Sequence, residues 1–138
     1  MEGQQISEIF AWSDQLKKYI LAAFDMALSI TSRVVSDVVV LDLSGRFTSA
    51  EDSLREPVNA FLDEGRRNFL LNMAGVPYLG TWGLTEMVLM WTAICKRGGA
   101  MALVGPIERV REVLKITKLD GVFPLYENEP EALKHFSK

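Results

Sequence analysis

The sequence predicts an α/β domain, in which a mixed, largely parallel β-sheet is covered by helices in the order ββαβαβαβα, with one extra amphipathic helix in front. Two observations predict this fold. Short apolar runs rich in β-branched residues alternate with segments whose apolar residues recur at helical spacing. Glycine, proline and capping residues separate the two kinds of segment, and strands that alternate with helices form mainly parallel sheets.

The extra helix is predicted in an extension at residues 1–25, and the domain itself is placed at residues 26–138. Apolar side chains lie near helical spacing in Ile6–Phe24, which indicates an amphipathic helix. Its most apolar part, Tyr19–Phe24, is bracketed by Lys17, Lys18 and Asp25. That part is too short to span a membrane and lacks the layout of a signal peptide.

Five strands are expected in the domain. The first two, Ala27–Arg33 and Asp37–Leu43, flank a turn around Val35-Ser36-Asp37 that is short enough for antiparallel pairing. The third, Asn68–Met73, is apolar on both faces, as in a central strand of a covered sheet. The last two are Ala100–Val104 and Val122–Tyr126.

The first helix of the domain has two candidate starts. Thr48-x-x-Glu51 and Ser53-x-x-Glu56 both match the capping box. Pro57 would lie deep inside a helix that began at Thr48 and would break a hydrogen bond there. The later start, at Ser53, is therefore predicted, and Gly65 is predicted to end this helix.

Three more helices follow. The first opens at Gly80-Thr81-Trp82-Gly83 and ends at Gly98-Gly99, the next has Pro106 in its first turn, and the last is capped by Asn128-x-x-Glu131.

The helix after Thr81 is unusually apolar on all sides. Helical spacing predicts six residues on its inner face: Leu84, Met87, Val88, Trp91, Ile94 and Cys95. Four apolar residues lie off this stripe: Trp82, Leu89, Met90 and Ala93. Exposed apolar patches mark contact sites, so this helix is a predicted docking surface for the N-terminal helix, a second copy or another protein.

The composition fits one folded, soluble domain and not a disordered chain. The 138 residues are 49% hydrophobic and 24% charged, with a net charge of −3. Basic residues occur only in short pairs such as Arg66-Arg67, so no nucleic-acid surface is predicted. The single cysteine and single histidine, Cys95 and His135, give no disulfide and no metal cluster, which favours the cytoplasm and no cofactor.

No catalytic constellation is predicted, and the chain is interpreted as a non-enzyme. His135 is expected to be a surface or packing residue, and Cys95 a buried apolar one. The junction Gly80-Thr81-Trp82-Gly83 lacks the glycine spacing and the lysine of a nucleotide loop. Thr81 is expected to cap the helix there. Together with Leu89, this junction is the predicted partner-binding surface.

Longer stretches of the sequence resemble the STAS domains, which occur in bacterial anti-sigma factor antagonists and in anion transporters. The resemblance runs from Ala27 to about Leu133 and includes VVLDLSGRF, LREPVNAFLDEGRRNFLLNMAGVPYLGTWGL and GGAMALVGPIERVREVLKITKLDGVFPLYENEPEAL. It implies a STAS-type sheet. It also implies that the chain binds an anti-sigma factor of the kinase type, and that this binding releases a sigma factor.

The sequence departs from this family at the phosphorylation site, which typically reads Asp-Ser-Ser-Gly-Leu. Gly80 takes the place of the Asp, Thr81 that of the first Ser, and Trp82 that of the Ser that the partner kinase phosphorylates. The usual switch is therefore predicted to be absent unless Thr81 accepts the phosphate instead. Lys118 also replaces a common glycine, which predicts a strained helix end.

Three hypotheses follow, in decreasing order of preference. The first is a regulator that binds an anti-sigma factor or a related protein without the serine switch. The second is a structural module that forms a homodimer or scaffold through the N-terminal helix and the helix after Thr81. The third, an enzyme or ligand carrier, has no catalytic residues to support it.

Overall fold

A five-stranded sheet with strand order β1-β2-β3-β4-β5 forms the centre of the computed structural model, which describes residues 28–49 and 53–137. The helix predicted at Ile6–Phe24 lies outside the described residues. The strands are β1 (Ser29–Val35), β2 (Val38–Ser44), β3 (Asn68–Gly75), β4 (Ala100–Val104) and β5 (Leu125–Tyr126). The helices are α1 (Arg55–Asp63), α2 (Thr81–Lys96), α3 (Glu108–Ile116) and α4 (Glu129–Phe136).

The strand pairing confirms the predicted mixed sheet. β1 pairs antiparallel with β2 in a register that sets Val35 opposite Val38, and Ser36 adopts a left-handed φ of 56° in the turn between them. The pairs β2/β3, β3/β4 and β4/β5 are parallel. Each parallel pair is joined through a helix, because parallel neighbours need a crossover connection from the end of one strand to the start of the next.

Alternation of side chains across the strands divides the core into two layers. The larger layer joins one face of the sheet to α1, α2 and α3, through residues such as Leu41, Leu71 and Met87. The smaller layer lies on the other face, where Val40 and Leu70 meet Ala132 of α4. Because the central strands are buried on both faces, they read as nearly continuous apolar runs in the sequence.

The later start of α1 is confirmed, although Ser53 is not its cap. The N-cap is Leu54, which makes no side-chain capping bond, and Pro57 is the third helical residue. Proline is tolerated there because the first N–H groups of a helix have no partner within the helix. Gly65 follows the helix end with a φ of +97°, as predicted.

Two boundaries near β4 and β5 differ from the prediction. Pro106 precedes the N-cap residue Ile107 and therefore lies before the first turn of α3. The last strand contains only Leu125–Tyr126, because the chain forms a 3₁₀ turn at Leu119–Gly121 before it reaches the sheet. Lys118 has a φ of 63°, a left-handed conformation that favours glycine, and this agrees with the strained helix end expected from the missing glycine.

The last helix follows its prediction closely. The Asn128 side chain accepts a hydrogen bond of 3.0 Å from the N–H of Glu131. His135 is a packing residue, since its Nδ1 lies 2.8 Å from the Tyr126 hydroxyl and its ring meets Phe136 edge to face.

Candidate functional site

Beyond the carboxyl ends of β2 and β3, the two chain segments continue side by side. The N–H of Gly45 donates to the carbonyl of Gly75 (2.9 Å), and that of Phe47 donates to the carbonyl of Tyr78 (3.0 Å). The N–H of Gly80 donates back to the carbonyl of Phe47 (3.1 Å). These bonds place the start of α2 at the carboxyl edge of the sheet, where open α/β sheets bind their ligands.

The first turn of α2 presents the predicted junction. Gly80 is the N-cap in an extended conformation, and the Leu84 N–H donates to its carbonyl at 3.0 Å. Thr81 is the first helical residue and is exposed, so the prediction that it caps the helix is wrong. The cap lies one residue earlier because Gly80 turns out of the paired segment. Trp82 is partly exposed, and Gly83 is buried.

Gly83 lets α2 approach the segments that follow β2 and β3 closely. A Cβ atom at this position would lie 2.5 Å from the carbonyl oxygen of Phe47 and 2.7 Å from Cδ1 of Leu79. Both distances are far below van der Waals contact, so a side chain would push the helix away. Gly83 thus fixes the position of the Thr81–Trp82 corner while being covered itself.

The inner face of α2 is rotated from its predicted position. The fully buried residues are Gly83, Glu86, Met87, Met90 and Ile94. Met90, expected outside, is in the core, and Cys95, expected inside, is exposed. A helix that is apolar on all sides does not show from its hydrophobic pattern which side faces the core. Gly83 and Glu86 are also absent from the predicted inner face, because neither is a hydrophobic residue.

An apolar groove lies on the outer side of α2. Its volume is about 330 Å³, and it is lined by Thr81, Leu84, Thr85, Val88, Leu89, Thr117 and Leu119. Leu89 is 39% exposed. The groove connects the exposed Thr81 to the end of α3, so the predicted contact residues Thr81 and Leu89 share one surface.

Glu86 is a buried acid that sequence reasoning missed. Its side chain is 0% exposed, and its Oε1 accepts a hydrogen bond of 3.2 Å from the N–H of Leu54, at the start of α1. Its Oε2 lies 3.0 Å from Nε of Arg55, which is an ion-pair contact out of line for a hydrogen bond. A buried carboxylate needs such partners. Glu86 therefore ties α2 to the start of α1.

Two arginines and a tyrosine meet next to the Thr81–Trp82 corner. The guanidinium carbon of Arg46 lies 4.8 Å from the centre of the Tyr78 ring, and that of Arg109 lies 4.7 Å from it. We call these three residues the Arg–Tyr–Arg cluster. No sequence pattern predicts this cluster, because its three residues come from three separate segments that only the fold brings together.

A separate polar network lies on the face of the sheet that α4 covers. Arg33 donates to Asp42 at 2.7 Å and to Glu129, at the start of α4, at 3.0 Å. Asn72 donates to the same carboxylate of Asp42 at 2.7 Å. The hydrogen bond from Arg33, with a smaller contribution from Asn72, lowers the pKa of Asp42 below its ordinary value. This network holds α4 on the sheet.

The described residues contain neither a metal-binding cluster nor a membrane-spanning helix. Across residues 28–49 and 53–137, no group of three or more His, Cys, Asp or Glu side chains is placed to hold a metal ion. Within the same ranges, no helix has the length and apolar character needed to cross a membrane.

Comparison with known proteins assigns the family. A model of the STAS domain matches residues 29–132. A candidate anti-sigma factor antagonist of Thermotoga neapolitana is 32% identical over 104 residues, which are 74% of this chain and 92% of the relative.

Solved structures agree with this assignment. The crystal structure of a candidate anti-sigma factor antagonist of Thermotoga maritima superposes with a TM-score of 0.66 at 26% identity, over 79% of this chain and 95% of the other. An anti-sigma factor antagonist from Mycobacterium paratuberculosis shares the fold with a TM-score of 0.72 at 21% identity, over 81% of this chain and 96% of the other. The chain therefore belongs to the STAS domain family, whose anti-sigma factor antagonists are regulators rather than enzymes.

Proposed function

We propose that this chain is an anti-sigma factor antagonist that binds an anti-sigma factor of the kinase type and acts in the cytoplasm by binding alone, without turnover. The STAS domain at 26–138 carries this activity, and residues 1–25 are an extension outside it. The match to a candidate antagonist over 92% of that protein supports the class of partner.

The contact surface in this proposal is the start of α2. It consists of Gly80, Thr81, Trp82 and Leu89, with Gly83 beneath them as a spacer. Thr81 and Leu89 are exposed, and Trp82 is partly exposed beside them. Tryptophan is enriched among residues that dominate binding energy, because a partner can desolvate its large rigid ring.

One observation carries the proposal that binding is not switched by phosphate: an indole occupies the position of the family's phosphorylated serine. Trp82 has no hydroxyl to accept a phosphate. A phosphate would add about −1.5 to −2 charges to this interface at pH 7 and would repel a partner shaped for an uncharged corner. Thr81, the residue before Trp82, carries a hydroxyl, and in this proposal it stays unmodified.

The test is a pull-down with the kinase-type anti-sigma factors of the source genome, followed by measurement of the dissociation constant. Trp82→Ala is expected to weaken binding by about 2 kcal/mol, because the substitution removes most of the area that a hot-spot ring buries against the partner. Val34→Ala, which shortens an exposed apolar residue on β1, is the matched control and should leave the affinity unchanged. Retention of no anti-sigma factor by the wild-type protein would refute the proposal.

A second function, self-assembly, is favoured by the apolar groove on α2. A second copy could bury the groove and the exposed Leu89. Light scattering tests this, because a homodimer would be lost in Leu89→Asp. A monomer at high concentration, both with and without residues 1–25, would exclude it.

A further inference from the structure

The Arg–Tyr–Arg cluster holds two positive charges close together at the carboxyl edge of the sheet. Both guanidinium carbons lie within 5 Å of one ring centre, so they can be no farther apart than the sum of the two distances. Arg46 follows β2, Tyr78 follows β3, and Arg109 is in the first turn of α3. The backbone bond between Phe47 and Tyr78 fixes the first two segments to each other.

The guanidinium groups of the cluster have no acceptor in the described part of the chain. Neither Arg46 nor Arg109 forms one of the ion pairs there, which all involve other arginines. Glu108, the sequence neighbour of Arg109, is not paired with it. Stacking on a ring uses the face of a guanidinium group and leaves the N–H donors along its edge available.

Charge complementarity indicates what binds to this cluster. The whole chain carries a net charge of −3, so two adjacent cations that form no ion pair with residues 28–49 or 53–137 are a local exception. Guanidinium edges bind carboxylates through paired hydrogen bonds, and the ring already holds both groups in place. Tyr78, the ring of the cluster, also lies only three residues before Thr81, at the same edge of the sheet.

We infer that the Arg–Tyr–Arg cluster binds an acidic segment of the protein partner, one that places at least two carboxylates beside the Trp82 contact. The identity of the partner rests on the proposed function, whereas the acidic chemistry rests on the cluster alone. Attraction of this kind acts mainly on the association rate and on the salt dependence of binding.

The experiment uses a labelled deca-glutamate peptide as the probe and follows its fluorescence anisotropy at low ionic strength. The wild-type protein is compared with Arg46→Gln/Arg109→Gln. The matched control is Arg66→Gln/Lys96→Gln, which removes the same charge at the opposite edge of the sheet. Circular dichroism checks that all three proteins fold. Tyr78→Phe keeps the stacking ring, and Tyr78→Leu removes it.

We expect the wild type to bind the peptide and the double variant at the cluster to bind it about tenfold more weakly, with little change in the control pair. Tyr78→Phe should behave as the wild type, and Tyr78→Leu should lose part of the affinity. Absence of binding to the wild type, or equal binding to the double variant, would overturn the inference.

The same variants are then tested against whichever anti-sigma factor the wild type retains. The double variant should weaken that complex and reduce its salt dependence. If no anti-sigma factor is retained, the proposed function fails, while the peptide measurement still decides whether the cluster binds acidic chains.

Discussion

At the amino-terminal edge of the parallel strands, Arg67 and Arg97 form hydrogen bonds and an ion pair within the domain. Arg67 donates to the carbonyls of Leu62 (3.0 Å) and Arg66 (2.8 Å), and Arg97 pairs with Asp63 at 2.7 Å. At the carboxyl edge, Arg46 and Arg109 stack on the face of Tyr78 and form no ion pair within the described residues. Arginine therefore stabilises the domain at one edge of the sheet and stays available for recognition at the other edge.

The backbone beneath the carboxyl edge explains how the side chains can stay available. Gly83 and Glu86 hold α2 against the segment after β2 and against the start of α1. Because these buried contacts fix the edge, its surface residues need not contribute to stability. Substitutions beneath the edge should therefore destabilise the protein, and substitutions on it should change binding only.

The largest expected effect is that of Gly83→Val. The new side chain would clash with the Phe47 carbonyl, and we expect a loss of about 3 kcal/mol in the free energy of unfolding, at the upper end of the usual cost of overpacking. Urea denaturation measures it. Gly121→Ala is the control, since a Cβ there meets nothing within 4 Å. Equal stability of the two variants would show that α2 can shift without cost.

Replacing Glu86 by leucine should have the next largest effect. The substitution removes the acceptor of the Leu54 N–H and leaves that buried donor without a partner. We expect a loss of about 2 kcal/mol, the usual cost of a buried unsatisfied group. Glu112→Leu, on the exposed side of α3, should be nearly neutral. A Glu86→Leu protein as stable as the wild type would mean that this hydrogen bond contributes nothing net.

The contrast between the two edges is tested directly by Arg67→Gln and Arg109→Gln. Arg67→Gln should cost about 1 kcal/mol of stability, because two backbone carbonyls lose a charged donor. Arg109→Gln should change stability by less than about 0.5 kcal/mol, as for an ordinary surface position. Thermal unfolding of both variants checks the order. A reversed order would remove the distinction between structural and free arginines.

The smallest effect concerns acid stability and the network that holds α4. Because the pKa of Asp42 is lower in the folded chain than its ordinary value, the unfolded chain binds the proton more readily. The stabilisation is present above about pH 4 and is lost as the pH falls through the lowered pKa. Asp42→Asn should flatten this dependence in urea titrations between about pH 5 and pH 2. An unchanged slope would mean that other carboxylates dominate.

Sequence patterns were sufficient for the order and pairing of the elements, because β-branched runs, capping boxes and glycines mark them locally. They failed where a local pattern carried no phase. Met90 and Cys95 lie on the opposite sides from those predicted because α2 is apolar all round, and Val122 and Phe123 lie in an irregular segment between a 3₁₀ turn and the last strand. In both places, tertiary packing decided between local alternatives of similar quality.

The candidate site was predictable only in part. The Gly80–Gly83 junction is a local motif and could be found directly. The Arg–Tyr–Arg cluster and the bond between Glu86 and Leu54 join residues far apart in the chain, so they depend on how β2, β3 and α1 are arranged. No periodicity in one sequence reports such a meeting.

The central claim is that the Trp82 corner binds its partner without a phosphate switch. The most direct measurement is the affinity for the retained anti-sigma factor kinase with and without ATP, for the wild type and for Trp82→Ser, which restores the family's phosphorylatable residue. We predict that ATP leaves the wild-type complex intact and releases Trp82→Ser with phosphate on the new serine. Release of the wild type with phosphate on Thr81 would contradict the account.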